Sequence, residues 1–495
     1  MLQSDANTNT GIRAPGKISN DFDDIIDNSL TGIRQLINRA GKGDFKSIKC
    51  RTVVWKMMLG YIPMGVDAEN WESALRKRRD EYEKLLETHT PDPTRVDESE
   101  VDLSVCNPLA SVEDTSTTSK GKSNVWTKFY EANELRKEIL KDLERLYPTG
   151  CGDFFEVKSF RESMGRILFL WSSMNADTSY RQGMHEVLAP LFYKMMEERL
   201  GSAPSEEEKK CLTATQKLAH IVMNEAHVEA DTFWMFDTIM KQLKPLFRVQ
   251  SSEERAAMMA RLRKKREERG VGKGGSRAVS IGDLPQLPLQ QCCNYIQHTI
   301  VKQADPELYA RLDEFNIEPQ LYAIKWIRTL FTRAFHVDDV YILWDTIFAS
   351  MAHDRLESRK QDKTLSPPLV RTVEFLAASM VMYVRTFVLE HDYSSSLKRL
   401  MKFPPMEDVL ILVRNAQRME TCKGQFSKLR RDGLKPIGVK VPPPLPPWPS
   451  NKEKRPASGV SSKTSAVTSR QVRKKSARLK TIEKKILLSH RYTHL

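Results

Sequence analysis

The sequence predicts an all-α fold, and three observations carry that reading. Apolar residues recur at helical spacing through most of the first 430 positions, as Phe160, Met164, Ile167, Leu168 and Trp171 do on one face. Alternating apolar and polar runs bounded by turn residues, the mark of half-buried strands, are nearly absent. With 495 residues, 40% of them hydrophobic, the chain has ample length for a large core.

Residues 1–20 are polar and are expected to be disordered. From Asp21 the pattern turns helical, with Ile25, Ile26, Leu30, Ile33, Leu36 and Ile37 near a 3.6-residue period. Arg51 to Leu59 reads as a helix closed by Gly60 as a C-cap glycine, with Pro63 beyond it. Trp55 and Leu59 fall one turn apart and are expected in the core. Asn70 to Leu86 is a helix whose charged run, Arg76 to Glu81, reads as a solvated face.

Three interruptions follow, at 88–123, 201–209 and 250–280. Stretches this long inside a compact domain are functional or disordered. Helical periodicity fills the intervals: Trp126 to Arg145, Val157 to Met174, Leu188 to Leu200, and Leu212 to Met223. The glycines at 270–275 lack a phosphate-loop pattern and read as linker after a charged helical run. Aromatics at helical spacing from Tyr322 to Phe348 are expected core, and Val373–Leu389 and Glu407–Val413 add two helices. The whole is one helical domain over about 21–430, followed by a Pro-rich and then basic tail at 434–495.

Composition excludes several functions. The net charge is +14, but residues 451–495 hold 13 Lys/Arg against 2 Asp/Glu, which leaves only +3 for the other 450 residues. A general nucleic-acid binder is therefore not expected. The tail suits weak contact with anionic membrane surfaces, each basic residue contributing about 1 kcal/mol; nuclear import is the competing reading. Seven cysteines without a C-x-x-C pair argue against a disulfide framework or a zinc site, and ten histidines show no metal-ligand spacing. No secretory leader or membrane span is expected, so the location predicted is cytoplasmic or peripheral to membranes.

Two stretches carry chemistry. Ile139, Asp142 and Arg145 share one helix face just before Pro148, which restricts Tyr147 and should end that helix. The Asp142 carboxylate at i−3 is expected to hold the Arg145 guanidinium. Some 40 residues on, Tyr180-Arg181-Gln182-Gly183-Met184-His185 opens an apolar helix, and Gly183 lets another chain approach Gln182 closely. A held arginine and a projecting glutamine are the two groups a GTPase active site most often lacks.

Together these motifs resemble I-x-x-D-x-x-R and Y-x-Q-G-M of the TBC-domain family, the GTPase-activating proteins of Rab GTPases. Arg51, Trp55, Leu59 and Gly60 resemble that family's opening motif, and Glu229-Ala230-Asp231 with Phe233 and Trp234 a later one. Pro319, Tyr322, Trp326 and Ile327, then Leu343-Trp344-Asp345, resemble its closing segments. The resemblance implies a GTP-bound Rab as partner, with Arg145 and Gln182 acting in trans as catalytic fingers. Ile139, Asp142, Tyr180, Gly183 and Met184 would support them. GTP and magnesium would belong to the Rab, so no cofactor is expected here.

Most members carry Asn where this chain has His185, a histidine expected to be packed or hydrogen-bonded. The continuation His185-Glu186-Val187-Leu188-Ala189-Pro190 is similar to the subgroup of TBC1 domain family member five. That likeness implies late-endosomal Rabs, endosomal membranes and the retromer coat, with Asn107-Pro108-Leu109 in the first insertion as a retromer contact. Phe22 and Ile25, in the acidic stretch Asp21 to Ile25, fit a motif that adds a strand to autophagy ubiquitin-like modifiers. They also fit a staple of the first helix onto the core, the plainer reading. The alternative to an activator is a silent TBC scaffold for retromer or autophagy partners.

Overall fold

The computed structural model describes Phe22, Ile25 and, apart from short interruptions, residues 32–89, 125–268 and 286–421. The helices of eight residues or more run in chain order. They are α1 (Ile33–Gly41), α2 (Arg51–Met58), α3 (Ala68–His89), α4 (Val125–Leu143) and α5 (Lys158–Met174). Then come α6 (Met184–Glu198), α7 (Ala214–Val222), α8 (Val228–Leu243), α9 (Ser252–Glu268) and α10 (Pro306–Glu314). The last are α11 (Gln320–Arg328), α12 (Val337–Leu356), α13 (Pro368–Tyr383), α14 (Tyr393–Met401) and α15 (Leu410–Thr421). Among the described residues the only β-type pairing is an isolated parallel bridge between Leu200 and Asn224. The all-α expectation holds.

Helix α2 shows how the core is knit. All eight of its residues are buried, and the chain leaves it through Gly60 at φ +75°, a left-handed conformation that suits glycine. Its N-cap, Cys50, makes no side-chain capping hydrogen bond. The need is met from 147 residues away: Glu198, at the end of α6, accepts from the Arg51 and Thr52 amides at 3.2 and 2.8 Å. A carboxylate at that end also complements the helix dipole. Trp55 packs among Tyr341, Trp344 and Phe348 of α12 at 5.4–5.9 Å between centroids and donates its indole N–H to Asp345 at 2.7 Å. Trp55 and Leu59 are core, as expected.

The charged face of α3 departs from expectation at one position. Arg79 is buried, and its Nε and Nη2 each donate to Asp231 of α8 at 2.8 Å. The Lys56 ammonium and the Tyr61 hydroxyl converge on the same carboxylate, both at 2.7 Å. Burial alone would raise the Asp231 pKa, but Lys56 and Arg79 outweigh it and hold that value down to about 2. Arg79 lies four residues from Leu75 and three from Tyr82, on the inward stripe, so helical phase overrides the local charge run.

Other boundaries shift. The single helix expected over Val373–Leu389 is two, α13 and a short Arg385–Glu390 segment that meet at Val384. A helix at Glu206–Cys211 enters the second interruption, and the charged run of the third is α9. Phe22 and Ile25 are 0% and 1% exposed and belong to the main core. Both side chains are engaged in packing, which favours the core-staple reading over the strand-adding docking motif.

Candidate functional site

The site is built where α4 ends and α6 begins. Helix α4 finishes at Leu143, and Arg145 lies on the turn beyond it, its amide donating to the Asp142 carbonyl at 3.2 Å. Ile139 and Leu143 are buried and fix the α4 end, while the Arg145 side chain is exposed. The second strip begins after α5, where Ser179 takes φ +53°, and Tyr180 turns inward, 2% exposed.

The expected Asp142–Arg145 pairing is not formed. Asp142 Oδ2 instead accepts from the Tyr180 hydroxyl at 2.9 Å, and among the described residues no carboxylate is paired with Arg145. The physical reason is position. Asp142 is on the last turn of the helix and faces the buried tyrosine, whereas Arg145 has already left the helix and points to solvent. Among the described residues the guanidinium has no counter-ion.

Tyr180 has a second partner, His185 Nδ1, at 2.6 Å. A carboxylate only accepts, so the hydroxyl proton goes to Asp142 and the tyrosine oxygen accepts from His185 Nδ1–H. Burial, and then the Asp142 charge, push the Tyr180 pKa upward, keeping the hydroxyl a donor. His185 is buried and hydrogen-bonded, as expected from the sequence. Its Nε2 lies 3.6 Å from Glu186 Oε1, and that carboxylate accepts from Arg333 Nε at 2.7 Å. Burial would raise the Glu186 pKa; His185 and Arg333 together hold it below its ordinary value.

Gln182 is exposed on a turn immediately before α6. Gly183 caps that helix at φ +106°, a conformation that L side chains rarely adopt, and it lies over Phe247: a Cβ built there would sit 3.8 Å from the ring Cε1. Met184, fully buried, anchors the first turn and accepts weakly from the Arg181 amide through Sδ at 3.4 Å. The Tyr180–Asp142 bond therefore ties together two loops, one presenting Arg145 three residues later and the other presenting Gln182 two residues later.

Sequence reasoning missed Arg333, Phe247 and Arg328. None carries a local signal, because each reaches the site only through the packing of α6 against later segments. Asn107, Pro108 and Leu109 lie outside the described residues.

A model of the Rab-GTPase-TBC domain matches residues 48–264 and 277–356. TBC1 domain family member 5 of Homo sapiens is 28% identical over 396 residues, covering 79% of this chain and 43% of that protein. TBC1 domain family member 5 homolog B of Dictyostelium discoideum is 28% identical over 447 residues, covering 76% and 40%. The chain spans less than half the length of these curated relatives. The solved Ypt/Rab-GAP domain of Gyp1p superposes with a TM-score of 0.51 at 17% identity, over 82% of this chain and 99% of that one, a likeness of fold.

Proposed function

The chain belongs to the Rab-GTPase-TBC domain family, and we propose that it accelerates GTP hydrolysis by a Rab GTPase, supplying Arg145 and Gln182 to the Rab active site. The observation that carries this reading is the Tyr180–Asp142 bond, which holds two exposed and chemically complementary side chains on adjoining loops. The Arg145 guanidinium would neutralise charge that develops on the transferred phosphoryl oxygens. The Gln182 amide would orient the attacking water in place of the Rab's own glutamine. GTP and magnesium arrive with the Rab, and the chain contributes no cofactor. An arginine unpaired among the described residues suits this role, since it breaks no ion pair with them to engage phosphate.

The test is a GTP-hydrolysis screen of the purified chain against a panel of GTP-loaded Rabs. Arg145→Ala should lower stimulation about 10³–10⁵-fold, the usual contribution of an arginine finger. Gln182→Ala should also fall steeply. Arg145→Lys should rescue little, because the ammonium lacks the planar fork that spans two oxygens. A Rab whose own switch glutamine is mutated should still be stimulated. If that Rab is refractory while the Gln182→Ala chain remains active, the two-finger mechanism is wrong.

The finer setting follows from likeness to the subgroup. We infer late-endosomal Rabs, peripheral residence on endosomal membranes, and retromer contact through Asn107-Pro108-Leu109. Leu109→Ala should weaken a retromer pulldown and spare hydrolysis; equal capture would remove the site. Weak membrane contact through 451–495 should vanish in salt and on deletion of that tail. The scaffold reading requires that no Rab is stimulated, and its autophagy arm loses support with Phe22 and Ile25 buried.

A further inference from the structure

The surface beside Gln182 carries more positive charge than two fingers use. Arg328, on α11, places its Cζ 5.1 Å from the centroid of the Phe247 ring, the same ring that lies under Gly183. Phe247 thus sits between the Gln182 turn and Arg328. Lys325 is one turn earlier on the same face of α11 and is exposed. Arg181, exposed and adjacent to Gln182, is close enough for its charge, after burial, to act against that of Arg328.

The acid that acts on this group is already paired elsewhere. Glu186, the acid whose charge reaches Lys325, is committed to Arg333 and His185. No carboxylate pairs with Arg181, Lys325 or Arg328 among the described residues, and Arg328 Nε is buried without a hydrogen-bond partner. Gathering like charges without a counter-ion costs stability, and surfaces of this kind are matched by an oppositely charged partner that they steer and select.

We propose that Arg181, Lys325 and Arg328 form a cationic docking strip for acidic side chains on the nucleotide-bearing face of the GTPase, governing encounter and partner choice. The inference rests on the function proposed above. The strip borders Gln182, so a body that presents GTP to Gln182 must cover it. Leu321, 49% exposed and one turn before Lys325 on the same helical face, adds an apolar contact that a protein surface uses and a free anion does not.

The experiment measures binding of the full chain to the panel Rab that wild type binds most tightly, loaded with a non-hydrolysable GTP analogue. Lys325→Glu and the double change Lys325→Glu/Arg328→Gln should each slow association, with about tenfold or greater loss of affinity for the double variant, and flatten the salt dependence. Reversing an acidic residue on the Rab face to Lys should restore binding to Lys325→Glu. Lys325 is exposed, so its single variant reads the strip even if replacing Arg328 disturbs folding. Affinity and salt slope within twofold of wild type for Lys325→Glu and the double variant would overturn the proposal. So would variants that lose binding to vesicles of anionic phospholipid but not to the Rab. Binding without stimulated hydrolysis would remove the catalytic reading and leave the strip standing; a wild-type chain that binds no Rab would overturn both.

Discussion

The Tyr180 hydroxyl donates to Asp142 at 2.9 Å across 38 residues of chain, and that bond joins the two halves of the candidate site. Tyr180→Phe keeps the ring and deletes the bridge, leaving Asp142 and His185 Nδ1 without their shared partner. We expect a loss of about 1–3 kcal/mol in denaturant unfolding, the usual cost of orphaned buried polar groups. Stimulated turnover should fall as well, although neither finger is altered. Wild-type turnover in a folded Tyr180→Phe protein would show that the bridge does not position the fingers.

Gly183 gives a sharper separation of backbone from sterics. Its φ of +106° disfavours any side chain, yet a Cβ there meets only Phe247 at an ordinary 3.8 Å. Gly183→Ala should therefore cost about 1–2 kcal/mol through the dihedral alone. Because Gln182 is the preceding residue, relaxation of the turn should displace it and lower turnover more than Rab affinity. Unchanged stability and turnover together would refute the strain argument.

Asp231 is held by Lys56, Tyr61 and Arg79, all inside the core. Asp231→Ala would leave a buried ammonium and guanidinium uncompensated. Breaking such a pair typically costs about 3–5 kcal/mol, so the variant should unfold at markedly lower denaturant or fail to accumulate folded. A shift below about 1 kcal/mol would mean that water replaces the carboxylate.

Glu374, on α13, supplies a pH signature. Burial, opposed by Cys292, Ser366 and Arg371, pushes its carboxyl from 4.5 up to about 7. The folded state thus keeps this proton to higher pH than the unfolded chain does. The neutral acid's contribution to stability is complete below the ordinary value and is lost as pH rises through about 7. Glu374→Gln cannot ionise, so wild type should lose stability relative to it between pH 5 and 8. Parallel unfolding midpoints for the two proteins across that range would contradict this.

Much of this was legible in the sequence, because helical period is a local property. The helices around Trp55, Trp171, Trp326 and Trp344 and the glycine cap at Gly60 follow from spacing and residue type, and the two site motifs were legible through their family resemblance. Burial of His185 was legible for the same reason, since it lies within an apolar run. What local pattern could not decide was which partner each charge takes. Asp142 and Arg145 are three residues apart, yet the tertiary fold pairs Asp142 with Tyr180 and leaves Arg145 to solvent. Arg79 looks like its charged neighbours, yet helical phase and a carboxylate 152 residues away bury it. Phe22 and Ile25 fit both a docking motif and a core staple by local pattern, and the fold packs them into the core. The reason is common to all three: hydrogen bonds, ion pairs and apolar contacts depend on distances of a few ångströms between segments remote in sequence, and only packing of the helices sets those distances.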